Sequence, residues 1–244
     1  MIYLTGDTHG QHDISKLLSN NDIKENDYLI ILGDWGGLWS GDKRDEKIIN
    51  WYNCQPYTTL WLDGNHENFD LIKEYPITKM FGGKVQKISD KVIHLMRGEA
   101  YEIDGNSIFV MGGASSIDRI YRTEGLSWWS DEIPSEEEFE HAEETLKAHN
   151  YTFDYILSHC CSNIKQTQLL LKNGVTMSSI KSDTLVEWFN DIEKVVNFKH
   201  WYFGHYHFDT DIDEKHTCLY NEIIELGKTL ELYYECDYER DNYE

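Results

Sequence analysis

The sequence predicts an α/β fold whose sheets are covered by helices. Short apolar runs rich in β-forming residues each include a glycine or a polar turn, and they read MIYLTGD, DYLIILGD, TTLWLDGN, FDYILSHC and KHWYFGHYH. The runs are nearly continuously apolar, which is typical of strands buried on both faces. Segments with helical spacing separate them. This alternation of strands and helices indicates an α/β domain.

The other elements follow from local patterns. Apolar residues recur at helical spacing in residues 13–20, 45–54 and 69–75. Asp104-Gly105 lies between two extended runs and predicts a hairpin. Ser135 with Glu138 forms a capping box, so the acidic run there predicts a solvated helix start. A further helix is predicted to open near Ser182, and more strands are predicted after the last histidine motif.

Length and composition favour a single large domain. The 244 residues are 40% apolar, enough for a substantial core, and the chain has no low-complexity tract or Pro/Gly-rich linker. We expect one domain over residues 1–234 and a frayed acidic tail over residues 235–244.

The charge balance restricts the partners. With 22 basic and 44 acidic residues, the formal net charge is -22, which would repel the backbone of long nucleic acids. No run of eighteen apolar residues predicts a membrane span, and the first residues do not resemble a signal peptide. The five cysteines are scattered without C-x-x-C spacing. We therefore expect a cytoplasmic protein with reduced cysteines and no membrane partner.

Five of the predicted strands end in side chains that can bind a metal ion. The endings are GDTHG, GDWGG, GNHE, SHC and GHYH, with Asp7, His9, Asp34, Asn65, His66, Glu67, His159, His205 and His207. Because ligands of open α/β sheets bind beyond the carboxyl ends of the strands, these side chains could converge. Mixed carboxylate, imidazole and amide ligands suit Mn²⁺, Fe²⁺ or Zn²⁺. Each motif alone is also compatible with an ordinary turn.

The last of these motifs places two imidazoles two residues apart. If the segment is extended, His205 and His207 share one face, with their Cα atoms about 6.6 Å apart. Such a pair could clamp one metal ion or lie side by side as structural residues. The pair alone leaves both alternatives open.

In order and kind, the motifs D-x-H, GD, GNH(E/D), H and GHxH resemble the calcineurin-like metallophosphoesterase superfamily, and within it the bacterial and phage serine/threonine phosphatase-like branch. The motifs span residues 1–208. The resemblance implies two packed mixed β-sheets flanked by helices, a four-layer αββα sandwich.

The resemblance also implies a site with two divalent metal ions. One ion would be held by Asp7, His9 and His207, the other by Asn65, His159 and His205, and Asp34 would bridge both. Mn²⁺ is the expected ion, with Fe²⁺/Fe³⁺, Zn²⁺ and Ni²⁺ as alternatives. A hydroxide bridging the two ions would attack phosphorus, and His66 would protonate the leaving group.

One motif departs from the protein-phosphatase pattern GDxxDRG. In this chain the corresponding residues are Gly37 in place of the second Asp, Leu38 in place of the Arg, and Trp39 in place of the final Gly. The aspartate that pairs with the acid histidine and the arginine that binds phosphate are therefore missing from this motif.

Two arginines in residues 112–134 are candidate substitutes. Arg119 or Arg122 could bind a phosphate with two hydrogen bonds. The alternative is that both form surface ion pairs with Asp118 and Glu124.

The expected activity is hydrolysis of a phosphomonoester or phosphoprotein. One alternative is a phosphodiesterase or nuclease acting on nucleotides or cyclic nucleotides, for which the missing DRG is permissive. A lesser alternative is a non-catalytic binding scaffold. Retention of all seven expected ligands and of His66 argues against the scaffold.

Overall fold

The computed structural model describes residues 1–18, 22–175 and 182–230, in which two β-sheets pack between helices. The strands are β1 (Ile2–Thr5), β2 (Tyr28–Ile31), β3 (Thr58–Trp61), β4 (Ile77–Met80), β5 (Gly83–Lys87), β6 (Val92–Leu95), β7 (Glu99–Ile103), β8 (Asn106–Met111), β9 (Tyr155–Ser158), β10 (His200–Phe203), β11 (Thr210–Asp213), β12 (His216–Cys218) and β13 (Ile224–Glu225). The helices are α1 (Ser15–Leu18), α2 (Lys43–Asn53), α3 (Phe69–Lys73), α4 (Glu136–Ala148), α5 (Asn163–Lys172) and α6 (Thr184–Val195). The predicted tail, residues 235–244, lies outside the described residues.

Both sheets are mixed and have a parallel centre. The strand order is β13-β1-β2-β3-β6-β5-β4 in one sheet and β11-β12-β10-β9-β8-β7 in the other. Strands β1, β2, β3 and β6 run parallel, and so do β8, β9, β10 and β12. The carboxyl ends of the parallel strands in each sheet therefore meet at one edge.

Side-chain alternation along the strands builds four layers. In β2, Ile30 packs between the two sheets, whereas Leu29 and Ile31 pack against α1, α2 and α3. In β9, Leu157 joins the core between the sheets, and Ile156 packs against α4, α5 and α6. Since successive side chains of a strand face opposite sides, every central strand is buried on both faces. The predicted α/β class and αββα sandwich are confirmed.

Several local predictions are also confirmed. Ser135 and Glu138 form both halves of the capping box of α4. Asp104 and Gly105 connect the antiparallel strands β7 and β8. The helix predicted near Ser182 is α6, and its first backbone N–H groups are capped by the neighbouring Asp183.

Some elements were not predicted. Strand β4 forms the edge of its sheet and β5 lies next to it. Both contain lysine, so they lack the continuous apolar signal of central strands. Helix α5 begins after Ser162, whose hydroxyl accepts a hydrogen bond from the Lys165 N–H. Among the described residues, no helix is long and apolar enough to cross a membrane.

Candidate metal centre

The strand ends bring the predicted ligands into one cluster. Three sets of side chains offer ligand atoms that lie within 4.8 Å of one another, namely Asp7 with His9 and His207, His9 with Asp34 and His66, and Asp7 with Asp34 and His159. The loops after β1, β2, β3, β9 and β10 supply these residues. The carboxyl edges of the two packed sheets therefore form one site.

Asp7 is fully buried at the end of the first strand. Its Oδ1 accepts a hydrogen bond from the backbone N–H of His205 at 2.9 Å, and its Oδ2 lies 3.0 Å from His207 Nε2. His9 Nε2 lies 3.9 Å from the same Oδ2. Burial opposes ionisation, but His159 and the hydrogen bond with His207 hold the pKa of Asp7 below its ordinary value.

Asp34 lies at the middle of the cluster. Its Oδ2 is 3.4 Å from His9 Nε2, and its Oδ1 is 3.4 Å from His159 Nε2. Burial opposes ionisation of this carboxyl group, but the charge and hydrogen bond of His159 hold its pKa well below the ordinary value. The two carboxylate oxygens thus face different histidines, as a bridging ligand requires.

His159 and Asn65 are oriented by groups outside the cluster. The Nδ1 of His159 lies 2.7 Å from the carbonyl oxygen of Leu32, so the Nδ1–H donates to that oxygen. Its Nε2 then lies 3.1 Å from Asn65 Oδ1. The Asn65 amide nitrogen donates to Ser116 Oγ at 3.1 Å. With a metal ion bound, both residues would present a lone pair to the cluster.

The two histidines of GHYH are not extended. His205 and His207 have φ angles of 69° and 56°, in the left-handed region, so the premise that they share one strand face is wrong. The ring centroid of His205 lies 4.9 Å from that of His159. The half-exposed His207 stacks on Tyr220 at 4.4 Å. The turn thus places the His205 imidazole next to His159 and the His207 imidazole next to Asp7.

Two glycines leave the space in which the ligands pack. A Cβ on Gly33, whose φ is +93°, would lie 2.0 Å from His159 Nδ1. A Cβ on Gly64 would lie 2.1 Å from Asp34 Oδ1. Both distances are far below van der Waals contact, so the cradle requires glycine at both positions. The tight cradle and the mixed oxygen and imidazole donor set fit divalent metal ions.

The comparison with known families agrees with this geometry. A family model, described as calcineurin-like phosphoesterase, matches residues 1–223. The chain belongs to the calcineurin-like phosphoesterase family. A search of curated proteins gives no match. Membership in this family implies a metal-dependent hydrolase of phosphoester bonds that uses two divalent metal ions.

In this phosphoesterase, two clefts meet at the cluster. The first has a volume of about 440 Å³, and its lining includes Asn65, Ile117 and Asp183. The second has a volume of about 370 Å³, and its lining includes Trp39 and Arg44. His66 borders both clefts. A substrate phosphate at the cluster could therefore carry groups into two separate spaces.

His66 lies at the edge of the cluster and contacts Arg122. The backbone N–H of His66 donates to Asp34 Oδ1 at 2.7 Å. An Nη atom of Arg122 lies 3.2 Å from His66 Nδ1. Burial holds the pKa of His66 below its ordinary value. The positive charge of Arg122 also lowers this pKa, whereas the negative charge of Asp34 raises it.

The two candidate arginines occupy different places. Arg122 lines the second cleft beside His66 and also pairs with Asp118, whose Oδ1 lies 2.7 Å from its Nε. Arg119 lies 3.9 Å from Glu132 and 5.9 Å from the Trp128 ring, and is half-exposed. The structure thus brings Arg122 to the site, while Arg119 lies along the loop.

Sequence reasoning missed Asp13, which lies behind a predicted ligand. Asp13 Oδ2 is 2.6 Å from His9 Nδ1. Its spacing of four residues after His9 in HGQHD was the only available signal. Lys16 was also missed; its side chain is partly buried, and its ammonium group donates to the carbonyl oxygens of Gly6 and Asp7. Both residues hold the loop after β1 in place.

Proposed function

We propose that the chain is a dinuclear-metal phosphatase acting on phosphomonoesters, either small molecules or phosphoproteins. The observation that carries this proposal is the position of Asp34, whose two oxygens lie 3.4 Å from His9 and 3.4 Å from His159. A carboxylate placed between two imidazole groups is the arrangement expected of a bridge between two ions.

The proposed ligand sets are those that the family resemblance implies, and the contacts support them. Asp7, His9 and His207 would hold one ion, Asn65, His159 and His205 the other, and Asp34 both. Manganese is the proposed metal for this donor set. When bound, two such ions activate water and neutralise negative charge on the phosphoryl group.

The chain itself supplies the groups around the substrate. His66 is tied to Asp34 through its backbone and borders both clefts, so it is the proposed partner of the leaving-group oxygen. Arg122 lines the cleft beside His66 and is the proposed substitute for the missing arginine. Arg119 is the second candidate for that role.

A phosphodiesterase is the second candidate function. The observation that favours it is the pair of clefts that meet at His66, since a diester carries a substituent on each side of phosphorus. The net charge of -22 disfavours a long nucleic acid but permits a nucleotide.

The test compares p-nitrophenyl phosphate, bis(p-nitrophenyl) phosphate and a short oligonucleotide on the Mn²⁺-loaded chain. We expect hydrolysis of the monoester, and activity confined to diesters would replace the first proposal by the second. An Asp34→Asn chain serves as the matched control for metal-dependent turnover. A chain that binds less than one equivalent of metal and cleaves none of the three substrates would be a scaffold.

A further inference from the structure

Asn65 can bind a metal ion only when its side-chain amide is correctly oriented. The Oδ1 atom has lone pairs for a cation, whereas the Nδ2 group offers only donor hydrogens. In this chain Nδ2 donates to Ser116 Oγ at 3.1 Å, and Oδ1 lies 3.1 Å from His159 Nε2. The contact with Ser116 thus leaves the amide oxygen on the side of the cluster.

Ser116 belongs to a short segment that also borders the first cleft. Residues 114, 115, 117 and 118 line that cleft. Ser116 itself is buried, with 4% of its surface exposed, and its hydroxyl contacts Asn65. A single segment therefore forms a wall of the substrate space and contacts a proposed metal ligand.

This segment is held from two sides. The backbone N–H of Ser116 donates to Glu132 Oε1 at 3.0 Å, and the Ala114 N–H donates to the Glu132 carbonyl oxygen at 3.2 Å. The Gly113 N–H donates to the carbonyl oxygen of Asp63, in the loop after β3, at 2.8 Å. These contacts fix the position from which the Ser116 hydroxyl reaches the amide.

Glu132 is an unfavourable side chain to bury at this position. It is fully buried, and among the residues that the structure describes its Oε2 has no hydrogen-bond partner. An Nη atom of Arg119 lies 3.9 Å from Oε1, which is too far for a hydrogen bond. A buried carboxylate with so few donors lowers the stability of the fold. Packing alone would favour an apolar side chain here, so the contact with Ser116 better explains the carboxylate.

We propose that Ser116 and Glu132 are positioning residues for one metal ion. Ser116 orients the Asn65 amide so that its oxygen can bind the ion, and Glu132 holds Ser116 in place. The proposal rests on the two-ion centre of the proposed function, and it does not depend on which phosphate ester is the substrate.

The first experiment observes the Asn65 amide directly. In the ¹⁵N-labelled metal-free chain, hydrogen exchange of the Asn65 Nδ2 group should be slow, and the Asn65→Asp chain assigns its signals. Ser116→Ala should make this exchange about 10-fold faster, because the hydrogen bond is lost. Ser130→Ala changes an exposed serine of the same loop and should leave the exchange rate unchanged. Equal rates in the Ser116→Ala and wild-type chains would overturn the role of Ser116.

The second experiment measures the binding of each ion. In isothermal titration calorimetry with Mn²⁺, Ser116→Ala should weaken one ion about 10- to 100-fold and leave the other unchanged, because Asn65 belongs to one ligand set. Ser130→Ala should bind both ions as the wild-type chain does. A merely structural role of Ser116 would weaken both ions alike. That result, or unchanged affinity for both ions, would contradict the proposal.

Two variants of Glu132 separate its hydrogen bond from its charge. Glu132→Gln keeps an oxygen that can accept from the Ser116 N–H, so it should bind both Mn²⁺ ions with wild-type affinity. Glu132→Met has a similar size without an acceptor, and it should weaken the same ion as Ser116→Ala. The role assigned to Glu132 is wrong if Glu132→Gln weakens that ion as much as Glu132→Met, or if Glu132→Met retains the wild-type affinity.

Neither exchange nor metal binding requires turnover, so the two proposals can fail separately. A wild-type chain that binds two ions but hydrolyses no phosphate ester would refute the proposed function and leave the roles of Ser116 and Glu132 intact. Wild-type turnover combined with unchanged Mn²⁺ binding in Ser116→Ala would refute only the positioning roles. A wild-type chain that binds no second ion would overturn both.

Discussion

Asp13 Oδ2 lies 2.6 Å from the Nδ1 of His9, while the Nε2 of the same ring faces the Asp34 carboxylate at 3.4 Å. A carboxylate behind a metal-binding imidazole orients the ring and raises its basicity as a ligand. Asp13 also accepts a hydrogen bond from the Tyr220 hydroxyl at 3.2 Å, which fixes its own position. Asp13 therefore connects the loop after β1 to the segment that follows β12.

We predict that Asp13→Ala weakens the binding of one Mn²⁺ about 10- to 100-fold, because His9 loses its orienting partner. Isothermal titration calorimetry of the metal-free chain measures this change. Asp191→Ala removes a carboxylate that is 79% exposed on α6, and it should leave Mn²⁺ binding unchanged. Equal affinities of the Asp13→Ala and wild-type chains would contradict the role of Asp13.

A second prediction concerns the proposed bridge. Asp34→Asn retains the size of the side chain but removes the charge that both ions would share, so metal content should fall well below two ions per chain. Elemental analysis after dialysis against Mn²⁺ gives the stoichiometry. Full occupancy in Asp34→Asn would argue against a bridging role for this carboxylate.

The strand-end motifs predicted the cluster because each predicted ligand lies just after a buried parallel strand. The neighbours of the ligands were harder to predict. Arg122 reaches His66 from a loop with no regular periodicity, across 56 positions of sequence. The spacing of His205 and His207 was compatible with a strand, and only the positive φ angles reveal the turn. Contacts made by irregular segments depend on tertiary packing, which local patterns do not encode.

A third prediction concerns a buried ion pair beneath the site. Arg97 Nε donates to Asp63 Oδ2 at 2.6 Å, and both side chains are buried. Although burial opposes the charge, Arg97 and His94 hold the pKa of Asp63 down to about 2. Arg97→Met should cost about 3 to 5 kcal/mol of unfolding free energy, because it leaves a buried carboxylate without its partner.

Urea unfolding of the metal-free chain measures that cost. Lys73→Met is the matched control, since Lys73 pairs with Asp131 at the surface and its loss should change stability by at most about 1 kcal/mol. If the two variants lose equal stability, the Arg97–Asp63 pair does not have the proposed energetic role.

A fourth prediction links stability to pH through His200. This residue starts β10, is 6% exposed, and its Nε2 lies 2.8 Å from Thr217 Oγ1. Burial and the neighbouring His216 lower its pKa to about 4 in the folded chain. In the unfolded chain the imidazole has its ordinary pKa of about 6.5. Between these values the unfolded state binds the additional proton, so this residue makes stability fall as the pH is lowered from about 6.5 to about 4.

His200→Gln should remove the pH dependence of the unfolding free energy that comes from His200. This amounts to at most about 3 kcal/mol near pH 4. Urea unfolding of the metal-free wild-type and His200→Gln chains at pH 7 and pH 4.5 isolates it, because other titrating groups affect both chains alike. The wild-type chain should lose more stability between the two pH values than the variant. His149→Gln changes an exposed histidine at the end of α4 and should keep the wild-type dependence. The same loss in His200→Gln as in the wild-type chain would mean that His200 accepts a proton in the folded state as readily as in the unfolded state.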